Sequence, residues 1–436
     1  MTEPQVIGIL GFVCALVLTL LGVSVSISMA AVGIVGFAIM NGWFAAGFVM
    51  SSAPFEAVFP YGLSVVPLFI AMGVFAAHAG LSRSLFDAVN LLVGRFRGGL
   101  AIATIGTCAI FGAICGSSLA TAATMGRIAV PEMLRAGYAK GISAATVAAA
   151  GTLGVLIPPS VTLVIYALLT ETSIGQLFAG ALLPGLLATV LYVGAVLIMI
   201  RSKPDLVARP SEAEALDGVT AFKAVLPVIG LFVLVIGGLY AGFFSPTEAA
   251  AVGAIGAFLL SLMMGITRSG LIAAALETAH TSAMIFMILI GAALFNFFLE
   301  GTGLTHFLAS WVDGSTLPPV VIMMIILLFY VILGCFMDAL SMILLTIPIV
   351  FPIVLSLGYD AVWFGIVIVS VVEIGLITPP IGMNLFIIQN VAGGEIRQSD
   401  IMRGILPFIL ADVLRLVILL AFPMIALYLP LLMRGG

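Results

Sequence analysis

The sequence predicts an all-α polytopic membrane protein made of two similar halves. The second half is inverted, and each half holds a re-entrant hairpin and a broken transmembrane helix. Three observations lead there. The 436 residues are 63% hydrophobic and 8% charged, with a mean hydropathy of +1.34, a balance no water-soluble domain has. Two apolar stretches, 99–137 and 318–358, are too long for one helix and are interrupted by small or polar residues. Short motifs also recur along the chain in the same order at a nearly constant offset.

Taken in order, the apolar runs predict spans near 6–22, 26–42 and 58–79, with a loop at 43–57. The first hairpin, 99–137, turns at CGSSLATAATMG (115–126). A span at 142–170 is broken at GTLGVLIPPS (151–160), and a continuous span follows at 177–200. The hydrophilic stretch RSKPDLVARPSEAEALDGVTAFK (201–223) reads as a cytoplasmic linker between a first domain, 1–200, and a second, 224–436. Spans near 224–244, 247–266 and 272–299 open the second half. Its hairpin, 318–358, turns at CFMDALSMILLTIP (335–348), its broken span at 363–390 carries EIGLITPPIGMN (373–384), and a last span covers 405–430.

The repeat organises these elements. Pro131 recurs as Pro352, Gly137-Tyr138 as Gly358-Tyr359 and Pro158-Pro159 as Pro379-Pro380, each 221 residues apart. AVGIVG (31–36) answers AVGAIG (251–256), GLS (80–82) answers GLT (303–305), and LATVL (187–191) answers LADVL (410–414). Six matches in one order exceed chance in an apolar chain. Five spans separate the two hairpins, and an odd number inverts the second half, the plan of many secondary transporters.

Charge placement tests that topology independently. One side receives Arg83, Arg95, Arg97, Lys140, Arg201, Lys203, Arg209, Lys223, Arg268, Arg397 and Arg403. The opposite loops, 43–57, 171–176, 242–247, 300–317 and 359–362, contain no Lys or Arg, and only Arg434 falls there. The basic side is therefore predicted cytoplasmic, with both termini outside. MTEPQ has no basic run ahead of the first span, so no cleaved signal is expected.

Chemistry is concentrated at four interruptions. Irregular backbone at membrane depth is tolerated only where it is buried in protein or lines a cavity. Proline lacks an N–H and clashes with the preceding turn. Carbonyls before each Pro-Pro pair thus lose helical partners and become ligands for a small cation. Half-helices starting after a break present positive ends to an anion. The cysteines Cys14, Cys108, Cys115 and Cys335 have no metal or redox spacing and read as small apolar residues. His78, His280 and His306 are far apart. No HExxH helix, nucleotide loop or intramembrane protease pairing is present, which disfavours an enzyme. Polarity confined to the interruptions, rather than a stripe along several spans, disfavours a channel.

GAICGSSLATAATMG, PEMLRAGY, GTLGVLIPPS and EIGLITPPIGMNLF together resemble the large membrane subunit of tripartite ATP-independent periplasmic (TRAP) transporters, over essentially the whole chain. The resemblance implies a sodium-driven, elevator-type secondary transporter for organic acids in a bacterial inner membrane. It also implies two separate partners, a small four-helix membrane subunit and a periplasmic substrate-binding protein. No nucleic-acid partner is expected. The alternative is a stand-alone sodium or proton/dicarboxylate carrier of the same hairpin plan.

The resemblance suggests a first sodium site from Ser117 and the carbonyls of Gly154, Ile157 and Pro159. The offset of 221 then predicts a second from Gly375, Thr378 and Pro380, with the Met383 carbonyl closing the shell. Oxygens without a carboxylate cage suit a monovalent ion better than calcium. Asp338, the mate of Ser117, either ligates sodium or holds the turn by accepting backbone N–H groups. Ser118, Thr121, Thr124 and Asn384 are expected to bind a substrate carboxylate. Arg127 either tunes substrate choice or pairs with Glu132. Glu373 is expected to be a packing or hinge partner, and Asp412 and Arg415, three residues apart, are expected to pair.

Overall fold

The computed structural model describes residues 2–203, 206–207, 218–393 and 396–434, with backbone alone for 218–224, Asp313 and Arg434. Among these there is no strand. The first half runs α1 (Glu3–Leu20), α2 (Val25–Val58), α3 (Val65–His78), α4 (Leu81–Val93), the pair α5 (Gly99–Cys115) and α6 (Ser118–Arg135), the broken helix α7 (Lys140–Leu156) and α8 (Val161–Thr170), and α9 (Ile174–Ser202). The second runs α10 (Gly218–Phe232), a π-helical turn at Val233–Gly237, α11 (Gly238–Tyr240), α12 (Pro246–Met263), α13 (Arg268–Thr302) and α14 (Leu304–Asp313). It ends with the pair α15 (Pro319–Gly334) and α16 (Ala339–Ser356), α17 (Ala361–Ile377), α18 (Met383–Val391), α19 (Gln398–Ala421) and α20 (Met424–Arg434).

Local chemistry explains several boundaries. At α12 the Ser245 hydroxyl accepts the Glu248 N–H at 3.3 Å while the Glu248 carboxylate accepts the Ser245 N–H at 2.8 Å, a reciprocal cap. The recurring Gly-Tyr pairs end α6 and α16. Gly137 and Gly358 have φ of 82° and 81°. Behind them the Tyr138 N–H reaches the Met133 carbonyl at 2.9 Å, and the Tyr359 N–H reaches Val354 at 3.3 Å. That left-handed closure suits glycine, which is why the pair recurs.

Helix α2 lies along α13, and α3 along α12. The contact is close: a Cβ on Gly33 would meet the Leu294 carbonyl oxygen at 2.7 Å. At the centre, α7 is buried from Ile142 to Leu156 and α17 from Val362 to Ile377. A helix apolar on every side belongs in such an interior. Both pack on α9 and α19. Outward-facing residues such as Leu10, Ile39, Leu197 and Leu259 are mostly exposed, which suits lipid rather than water.

Three expectations change. The predicted loop 43–57 is helical, because Gly42 (φ 82°, ψ 158°) kinks α2 without ending it. Helices α4 and α14 were not expected. Each is amphipathic, with Leu81, Leu85 and Phe86 buried in α4 while Arg83 and Asp87 pair outside at 3.4 Å. The predicted span 405–430 is two helices, since Phe422 leaves helical geometry before Pro423, which favours extension in its predecessor. Most of the predicted linker, 204–205 and 208–217, lies outside the described residues.

Candidate functional site

Helices α5 and α6 meet at Gly116-Ser117, and α15 and α16 at Cys335–Asp338. Each turn leans on the break of the following helix. The Val161 N–H reaches the Gly116 carbonyl at 3.4 Å, and the Gly382 N–H reaches the Cys335 carbonyl at 3.2 Å. Glycines allow the approach: Gly112 crosses Gly154, and Gly334 crosses Gly375, so tightly that an added Cβ would come within 3 Å of the facing backbone. At the first break α7 and α8 bend by 40°. Pro158 and Pro159 occupy the positions whose N–H groups would have bonded the carbonyls of Gly154 and Val155. Pro379 and Pro380 take the corresponding places for Gly375 and Leu376, although there the Gly375 carbonyl accepts the Thr378 N–H at 3.0 Å instead.

Between the turns lies a cavity of about 330 Å³. Four helices begin at its wall: Ser118-Leu119-Ala120 of α6, Val161-Thr162 of α8, Ala339-Leu340 of α16 and Met383 of α18 all line it. The N-terminus of a helix carries about half a positive charge from unpaired N–H groups. Arg127 adds a full charge to the same wall and has no ion-pair partner among the described residues. The opposite wall comes from α3 and α13, including Glu277, whose carboxylate is 2.8 Å from His78.

Of the residues expected to bind substrate, Ser118, Thr124 and Arg127 line this cavity. Thr121 and Asn384 do not. Thr121 is fully buried against Gly154, and Asn384 is fully buried with its amide donating to the Ala148 carbonyl at 3.0 Å. The expected pairing of Arg127 with Glu132 is absent. Glu132 instead meets Arg83 at 3.0 Å and Arg135 at 3.4 Å.

Of the proposed cation ligands, the structure gathers Ser117, Gly154 and Pro159. A Cβ on Gly154 would lie 3.0 Å from the Ser117 carbonyl oxygen, and one on Gly116 would lie 2.9 Å from that of Pro159. Ile157 is buried with its side chain towards Gly185 of α9. In the second half Gly375 sits against Gly334, Met383 lines the cavity, and the Thr378 hydroxyl donates to the Ile374 carbonyl at 2.5 Å. Pro380 is exposed and its carbonyl already accepts from Gln398 Nε2 at 3.2 Å.

Asp338 caps α16. Its Oδ2 accepts the N–H groups of Leu340 and Ser341 at 3.1 and 3.2 Å, and its Oδ1 accepts the Ser341 hydroxyl. Asp338→Ala is expected to cost about 1 kcal/mol in a thermal melt. Asp338→Asn, an equally good cap, should melt with the parent and keep its ion dependence; a loss of ion dependence in Asp338→Asn would make the carboxylate a ligand instead.

The expected pair of Asp412 and Arg415 forms, and Glu373, expected as a packing or hinge partner, joins it. Arg415 Nη2 lies 2.7 Å from Glu373 Oε2 and 3.1 Å from Asp412 Oδ1, and all three side chains are fully buried. Tyr192 donates to Asp412 Oδ2 at 2.7 Å and sits 3.1 Å from the Thr152 hydroxyl. The cluster therefore ties α7, α9, α17 and α19 together. A signal existed, because Thr152 and Glu373 are themselves 221 residues apart.

The family profile "Tripartite ATP-independent periplasmic transporter, DctM component" matches residues 12–425. The chain is 38% identical over 378 residues to the C4-dicarboxylate TRAP transporter large permease protein DctM of Pseudomonas aeruginosa, covering 86% of this chain and 88% of that one. It is 34% identical to the ectoine/5-hydroxyectoine TRAP transporter large permease protein UehC of Ruegeria pomeroyi, covering 96% and 97%. Among solved structures the YdaH transporter of Alcanivorax borkumensis shares the fold, with a TM-score of 0.62 at 19% identity, covering 98% of this chain and 100% of that one.

Proposed function

The chain belongs to the DctM component family of tripartite ATP-independent periplasmic transporters, and from that premise we propose that it carries an organic acid across a bacterial inner membrane, coupled to sodium. The observation that carries the substrate class is the cavity where the N-termini of α6, α8 and α18 converge with Arg127, while the carboxylate of Asp338 caps the α16 terminus and that of Glu277 is engaged by His78. Such a site favours an anion. The C4-dicarboxylate relative fits that chemistry.

Sodium coupling follows from the breaks. Beside the first hairpin turn the proline-freed carbonyl of Gly154 offers a neutral oxygen to a monovalent ion. At the second, the Gly375 and Pro380 carbonyls already accept the Thr378 N–H and Gln398, so the Thr378 hydroxyl and the Met383 carbonyl would have to serve. Movement follows from the two walls: the hairpins and broken helices form one, and α3 and α13 the other. In an elevator mechanism the first wall slides along the second and carries the cavity across. Helices α7–α8, α9, α10–α11, α12 and α13 make five crossings between the hairpins, which supports an inverted second half. The long basic helix ends, among them Lys140, Lys203, Arg268 and Arg403, then face the cytoplasm and both termini the periplasm. A small four-helix subunit and a periplasmic binding protein complete the transporter.

The test is uptake of C4-dicarboxylates and of ectoine by proteoliposomes, with and without a sodium gradient, the small subunit and the binding protein. Uptake by the large subunit alone at full rate would make it a stand-alone carrier. Uptake indifferent to sodium would remove the coupling. Thr378→Val keeps the shape and loses the hydroxyl, so half-maximal uptake should need about tenfold more sodium, the equivalent of one lost oxygen ligand worth about 1.4 kcal/mol. Wild-type sodium dependence in that variant would show the second site to be misplaced.

A further inference from the structure

A second cavity, of about 710 Å³, opens far from the first, where α7 begins, α9 ends and α19 begins. It lies on a seam, since α7 and α9 belong to the first half and α19 to the second. Three cations line it: Lys140, Lys203 and Arg403. Among the described residues one carboxylate, Asp400, lines it too. Lys203 and Arg403 are exposed and have no ion-pair partner among the described residues. Helices α7 and α19 both start here without a side-chain cap, at Ala139 and Arg397. Their first N–H groups add positive potential to the same rim, partly offset by the carbonyl end of α9, so the side chains of Lys203 and Arg403 set its sign.

The wall below the rim is aliphatic. Ile198, Leu406 and Leu410 line it and are 67%, 57% and 61% exposed. A soluble anion would use the rim and leave this wall empty. An amphiphile with an anionic head would use both. Arg201 and Arg397, also exposed, stand at the same helix ends, where a charged bilayer surface would meet the protein.

We propose that this cavity binds an anionic phospholipid, its phosphate at Lys203 and Arg403 and its acyl chains along Ile198, Leu406 and Leu410. The lipid bridges the end of α9 to the start of α19 and so joins the two halves at their cytoplasmic edge. This site is separate from the substrate cavity and plays no part in selecting the transported acid.

The experiment uses the delipidated full chain in detergent, titrated with phosphatidylglycerol or phosphatidylcholine and read by native mass spectrometry. The wild type should retain phosphatidylglycerol preferentially. K203Q/R403Q should weaken that retention about tenfold or more, each basic residue near an anionic lipid being worth about 1 kcal/mol. K203R/R403K should keep it, which separates charge from folding. Equal retention of the two lipids, or undiminished phosphatidylglycerol in K203Q/R403Q, overturns the proposal. So does displacement of phosphatidylglycerol by inorganic phosphate at equal concentration, which marks a soluble-anion site. Stronger retention in E212Q/E214Q/D217N also overturns it, since the acidic linker would then be the natural occupant.

Discussion

Arg415→Met is expected to destabilise the protein by about 3–5 kcal/mol, the cost of leaving buried charge without its partner. The guanidinium is fully buried, and one of its nitrogens serves both Glu373 and Asp412 while also donating to the Ser370 carbonyl at 3.3 Å. Removing it leaves two fully buried carboxylates without their cation, with the Tyr192 hydroxyl still donating to Asp412. Because the cluster joins α7, α9, α17 and α19, its loss loosens the packing around both breaks at once.

The contrast is Arg83→Gln. That side chain is 52% exposed and its partner Glu132 28%, so the pair contributes about 0–1 kcal/mol. A melt in detergent, read with expression level, should rank the two variants clearly. E373Q/D412N/R415M, which removes all three charges together, should recover most of the loss. An Arg415→Met protein that melts with the wild type would show that the cluster holds nothing together.

How much of this was legible can be judged from single residues. Pro158-Pro159 and Pro379-Pro380 were readable because proline's effect on a helix is local and the repeat doubled the signal. The amphipathic α4 and α14 were not, because charged residues such as Arg83 and Asp87 hide a half-buried helix from a hydropathy window. Within α6 the misplacement of Thr121 has a geometric cause. Ala120, Ala123, Thr124 and Arg127 line the cavity, the i, i+3, i+4, i+7 stripe of one helix face. Thr121, Ala122 and Met125 share the opposite, buried face. The turn was visible in the sequence, but the direction in which the helix left it was not. The Arg415 cluster needed contacts spanning 40 to 220 residues, from Thr152 with Tyr192 to Tyr192 with Asp412. Charge within an apolar span announces a partner without naming it.

Gly154→Ala carries the other large effect, and it bears on the proposed first sodium site. The added methyl would stand 2.6 Å from the Thr121 hydroxyl, 3.0 Å from the Ser117 carbonyl and 3.3 Å from Gly112 Cα. Thr121 can rotate away, but the Ser117 carbonyl and Gly112 are backbone and move only with the hairpin. Overpacking of this kind costs about 1–3 kcal/mol, small enough for the protein to assemble. The methyl nonetheless fills the space between the Ser117 carbonyl and the Thr121 hydroxyl, beside the residue whose carbonyl Pro158 deprives of its helical donor. Half-maximal uptake is expected to need at least about tenfold more sodium, a shift of about 1.4 kcal/mol in ion affinity. Thr121→Ala paired with Gly154→Ala relieves one contact and leaves the Ser117 contact in place, so it should restore stability more than sodium affinity. If Gly154→Ala instead lowers the melt while the sodium dependence stays unchanged, the crossing of α5 and α7 is structural, and the ion sits elsewhere.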